Sequence, residues 1–193
     1  MRRALLGLAL VLAGAGARAQ PAPEGQAAPE SQAGAAARPA SGPAAPVPSA
    51  CTDFAWSLMR EEAWFAAPGL AQVASGDAVR AEMPGAVLAL KPDAEVAFPV
   101  SPSKVPPPGS YGGVLRFPAP IQPGIYQVTL SDEAWIDVSQ DGQTTRPPMA
   151  HTLNPACPTL RKSLRYQFGT APVIIEISGA KRDTIKIAIA PVE

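Results

Sequence analysis

Trp135 and Asp137 are separated by one residue in the run EAWIDVSQDG, positions 133–142. On a strand that spacing puts both side chains on one face. An indole ring beside a carboxylate can stack on and hydrogen-bond a sugar or a peptide. The pair can equally be structural, with Trp135 covered by a helix or loop and Asp137 held in a hydrogen bond or ion pair. The cations that could meet Asp137 are Arg161 and Lys162, in the run LRKSLRYQF. Lys162 falls on the apolar side of its strand by parity, and a lysine is seldom buried without a partner. It either snorkels to the sheet edge or pairs with Asp137 near the rim. His151 is the single histidine of the chain. Trp135, Asp137, His151, Arg161 and Lys162 are therefore the candidate binding residues, and the polar members of the set would also serve a hydrolase.

Other chemistries find little support. No glycine pattern of a nucleophile elbow orders a serine with His151. Zinc and iron sites draw on several His, Cys or carboxylate ligands, so no metal is expected, and no cofactor. Glu133 and Asp137 would stand roughly 13 Å apart along an extended strand, and nothing in the pattern marks a glycosidase pair. There is no glycine-rich phosphate loop and no βαβ rhythm. The formal net charge is zero, which argues against a nucleic-acid partner, since that needs a basic stripe.

The elements that would carry these residues are mostly strands. GAVLAL, AEVAFPV, YGGVLRFPA, PGIYQVTLS, EAWIDVSQ, LRKSLRYQF, PVIIEISGA and DTIKIAIAPVE alternate or run apolar, with turn residues between them. About eight short strands at this spacing predict an all-β, antiparallel sandwich or jelly roll. Clean alternation predicts one buried and one wet face per sheet. In the opening run, Ala134, Ile136 and Val138 point inward and a hairpin turn follows at Asp141-Gly142. Tyr126, Val128 and Leu130 form another inward set, as do Leu160, Leu164, Tyr166 and Phe168. Val173, Ile175 and Ile177, then Ile185, Ile187 and Ile189, complete it. One short helix is expected in CTDFAWSLMREEAWFAAPG, capped by Thr52 or Asp53, with Phe54, Leu58 and Phe65 near one face and Pro68-Gly69 ending it. Residues 143–158 read as a polar loop.

The N-terminal part has a different composition. Arg2 and Arg3 precede an apolar run too short to span a bilayer, and ARA offers a cleavage site between Ala19 and Gln20. This is the pattern of a secretory signal peptide over 1–19. Residues 20–49 are almost all Ala, Pro, Gly, Ser and Gln, the composition of a disordered linker. Residues 50–193 form the folded domain, with no transmembrane segment expected. Cys51 and Cys157 are the two cysteines. In an oxidising compartment such a pair reads as a disulfide, so the protein is expected to be periplasmic or secreted.

GIYQVTLSDEAWIDV, AHTLNPACPTLRKSLRYQF and IIEISGAKRDTIKIAIAP, with the opening CTDFAWSLMREEAWFAAP, resemble small secreted bacterial proteins of unknown function. The likeness covers nearly all of 51–191. Some of those proteins carry the label homogentisate dioxygenase. Such enzymes hold iron with two histidines and a carboxylate, a set that one histidine does not supply. The strand pattern also resembles the pre-peptidase C-terminal type of β-sandwich, which implies a non-catalytic accessory or binding module. The expectation is an envelope protein that binds a glycan, peptide or protein. The alternatives are a hydrolase using Asp137 with Arg161, Lys162 or His151, and a purely structural envelope protein.

Overall fold

The computed structural model describes residues 50–193, apart from 81, 84 and 193. The expected signal peptide and linker lie outside the described residues. Ten strands form two sheets. They are β1 (Ala71–Ala74), β2 (Ala86–Ala89), β3 (Lys91–Pro92), β4 (Tyr111–Phe117) and β5 (Gly124–Leu130), then β6 (Trp135–Ser139), β7 (Ala150–Leu153), β8 (Lys162–Phe168), β9 (Val173–Ala180) and β10 (Thr184–Pro191). A six-stranded sheet has the order β1-β2-β10-β5-β8-β7, and a four-stranded sheet the order β3-β4-β9-β6. The described residues form an all-β sandwich with one short helix, α1 (Met59–Ala66).

The inward sets pack against one another as their parity requires. Val128, Leu130, Tyr166, Phe168 and Ile187 of the larger sheet meet Leu115, Val138, Val173, Ile175 and Ile177 of the smaller one, all buried in one cluster. Burying a side chain of this size stabilises the fold by about 1.5–3 kcal/mol relative to exposure. The expected wet faces are largely covered, although Arg116 and Gln167 remain exposed. On the larger sheet, Gln127, Thr129 and Ser163 are buried, because α1 and the segment before it lie across them. Gln127 donates to Glu61 of α1 at 2.8 Å, and Lys186 to the Phe65 carbonyl at 2.6 Å. Leu58, Phe65, Cys157, Leu160 and Ala188 form a second small core beneath this cover.

The helix itself begins later than its sequence suggests. Neither Thr52 nor Asp53 caps it; α1 starts after Leu58, with no side-chain cap. The preceding residues are held in an irregular path by contacts with β7 and the loop after it. Cys51 and Cys157 are joined, Asn154 Nδ2 donates to the Ala50 carbonyl at 2.8 Å, and Ala55 N–H to Thr152 Oγ1 at 2.9 Å.

Several other expectations are corrected. AEVAFPV is not a strand: a 3-10 turn (Asp93–Glu95) opens a loop that runs across the outer face of the four-stranded sheet. Asp93 redirects the chain, accepting Ser110 Oγ–H at 2.6 Å and Gly179 N–H at 3.0 Å. Gly112 sits under this loop, and any side chain there would run into Asp93 and Phe98. The Asp141-Gly142 turn forms, with Gly142 at φ 70°, but it does not make a hairpin. It passes the chain from β6 in one sheet to β7 in the other. The polar loop thus contains a strand, β7. Finally, β1 and β2 are parallel, since residues 75–79 cross between the sheets and bond to the edge of β4. That crossing closes one side of the sandwich. The side bordered by β6 and β7 has no strand beyond either edge.

Candidate functional site

The face of β6 opposite the core is where Trp135 and Asp137 meet the loop. Asp137 is 6% exposed and is surrounded by donors. It accepts the Ser103 N–H at 3.0 Å, the Ser103 hydroxyl at 2.6 Å and, more weakly, Trp135 Nε1–H at 3.3 Å. The same indole N–H donates to Ser103 Oγ at 2.7 Å. Directly across the ladder stands Glu176 of β9, 3% exposed, whose Oε1 accepts Val100 N–H at 2.8 Å. Two carboxylates on neighbouring strands therefore hold the loop down by its backbone. Burial pushes the Glu176 carboxyl above the usual glutamate range, and the neighbouring Asp137 charge adds to the rise.

Lys162 does not pair with Asp137. It projects from β8 into the gap between the sheets and donates to the Ala134 carbonyl at 2.7 Å. Its ammonium also lies 4.9 Å from the centre of the Trp135 ring, and Lys104 of the loop lies 3.7 Å from it. The ring is a seat for two cations and not a bare stacking platform. Burial draws the Lys162 ammonium below the usual lysine range, and the nearby Lys104 charge works in the same direction. The acids at the start of the site are committed elsewhere. Glu133 pairs with Lys181 at 3.1 Å, and Asp132 with Arg182 at 2.5 Å.

These groups border a groove of about 1260 Å³ on the open side of the sandwich. All five residues singled out from sequence line it: Trp135 and Asp137 from β6, His151 from β7, Lys162 from β8 and Arg161 just before it. Its walls include Val105, Pro106, Pro107, Pro147, Pro148 and Leu153. Val105 and Leu153 are well exposed apolar side chains.

The chain matches no protein-family model, no curated protein and no solved structure.

The groove brings His151, Asp137 and Lys162 to one surface without hydrogen-bonding them to one another. Asp137 spends its acceptor capacity on Ser103 and Trp135, and His151 stands exposed on the edge strand. Among the described residues, no group of three or more His, Cys, Asp or Glu could hold a metal ion. Three participants were not legible as site residues. Ser103 and Lys104 belong to a Pro-rich loop with no periodicity to place it. Glu176 did carry a signal, a lone carboxylate inside PVIIEISGA, but its meaning depends on the β6–β9 register.

Proposed function

We propose that this protein is a non-catalytic binding or accessory module of the cell envelope, periplasmic or secreted, taking a glycan, peptide or protein in the groove beside β6. The observation that carries this reading is the convergence of Trp135, Asp137, His151, Arg161 and Lys162 on one large concave surface, the usual setting of a recognition site. Placement outside the cytoplasm is supported by the Cys51–Cys157 disulfide, since such bonds persist in oxidising compartments. No helix among the described residues is long and apolar enough to cross a membrane. A leader over 1–19 and a linker over 20–49 fit export followed by tethering at a distance.

Binding is favoured over hydrolysis by the state of Asp137. A general base must present a lone pair to a substrate proton, and this carboxylate is 6% exposed and occupied by donors of the protein itself. The test is a pull-down from envelope extract using the exported chain and a Lys104→Glu, Leu153→Asp variant, both changes being at exposed groove positions. The reading expects partners lost from the variant. An identical catch from both proteins counts against the groove.

A further inference from the structure

The donor and acceptor inventory of the groove narrows its ligand. Five Lys or Arg side chains line it against three carboxylates. Of those carboxylates, Asp132 and Glu133 are ion-paired, and Asp137 is bonded to the covering loop. No ion pair engages Lys104, Arg161 or Lys162 among the described residues. Each carboxylate is thus engaged at least in part, while Lys104, Arg161 and Lys162 carry no such carboxylate partner. A neutral sugar brings many hydroxyl donors and would find few acceptors here. A ligand rich in carboxylates and poor in donors suits the surface, since charge-assisted bonds to an ammonium are the stronger kind.

The walls and edges add a second condition. Val105, Leu153 and five prolines offer apolar contact between the cations. The edge strands of both sheets, β6 and β7, border the same groove. On β6 the Ala134 and Val138 carbonyls already accept from Lys162 Nζ and the Arg146 N–H, so the edge that offers a template to an extended chain is the outer edge of β7. From these features we infer that the groove receives an extended acidic peptide segment. Its carboxylates would be held by Lys104 and Lys162 around Trp135, and by Arg161, with its apolar side chains against the proline walls. This rests on the binding function proposed above and narrows that function to one class of ligand.

Fluorescence anisotropy of a short labelled peptide alternating glutamate and valine tests it, with the glutamine-valine peptide, oligogalacturonate and oleate as the other arms. The glutamate peptide should bind and the glutamine peptide should not. Lys104→Glu should weaken binding about tenfold or more, the loss expected when an attractive charge-assisted contact becomes repulsive. Lys104 lies on the exposed loop, and the variant gives up only its contact with the Trp135 ring, a modest loss at an exposed site, so it should melt within a few degrees of the parent. Lys162→Met should weaken binding as well. If oligogalacturonate or oleate binds with the same sensitivity to Lys104→Glu and the glutamate peptide does not, the groove binds but the peptide inference is wrong. Equal binding of the glutamate and glutamine peptides also overturns it. If none of the four probes binds, this inference falls, and the broader reading is left to the envelope pull-down.

Discussion

Glu176→Gln should stabilise this protein near neutral pH. Glu176 and Asp137 face each other across β9 and β6 on a surface sealed by the loop after the 3-10 turn. Like charges directly opposite on a ladder cost about 0.2–1 kcal/mol. Glu176 Oε2 is also buried without a hydrogen-bond partner, and an unsatisfied buried acceptor costs about 1–3 kcal/mol. Glutamine keeps an oxygen for the Val100 N–H, removes the charge, and brings an amide donor to the side of Asp137. The net gain should be about 1–2 kcal/mol, or roughly 3–6 °C in Tm for a domain of this size. The pH dependence gives the sharper signature. A carboxyl whose folded pKa is raised binds its proton more tightly in the native state. Its stabilising effect is complete below the ordinary glutamate value and is lost as pH rises through the raised one. The advantage of Glu176→Gln should therefore be small near pH 4 and full near pH 7. Thermal melts followed by circular dichroism across that range measure it. The reasoning is refuted if the variant is no more stable at pH 7, or if its advantage is the same at both ends.

Three further outcomes follow from the same structure. Replacing Cys51 and Cys157 by serine opens a link across 106 residues and should cost about 4–5 kcal/mol in the chain-entropy relation; urea unfolding would read it as a lower midpoint, and a loss below about 1 kcal/mol would contradict it. Asp137→Ala removes the acceptor that pins Ser103, so the Ser103 and Val100 amides should lose hydrogen-exchange protection while amides of β5 and β10 keep theirs. Ile175→Ala, at a fully buried position between the sheets, should cost about 2–5 kcal/mol by calorimetry or urea titration.

Strand parity was a reliable guide wherever it repeated over several residues. Ala134, Ile136 and Val138, and the isoleucine sets of β9 and β10, all turn inward as their alternation requires. It misled where a second layer covers the sheet. Gln127, Thr129 and Ser163 are polar because they sit beneath α1 among hydrogen bonds, not because they are wet. Short elements were invisible for a different reason. β1 and β7 are four residues each, too brief for alternation to stand out, and they exist because longer neighbours pair with them. The loop over residues 96–109 is shaped by side chains far away in sequence, Asp137 and Glu176. No local pattern in PVSPSKVPPPG announces them. The five candidate residues were legible by type. Their convergence was not, because it depends on β6 and β8 lying in different sheets that meet at an open side.

An extended acidic chain seated on the open side, as proposed, would leave a defined footprint on the backbone amides. Titrating the isotopically labelled protein with the glutamate-valine peptide and following backbone amide shifts by NMR tests it most directly. The shifts should be confined to residues 103–107, 134–137, 145–153 and 161–162, with the amides around α1 unmoved. Shifts centred on α1 or on the β1–β2 edge, with the groove silent, would contradict it.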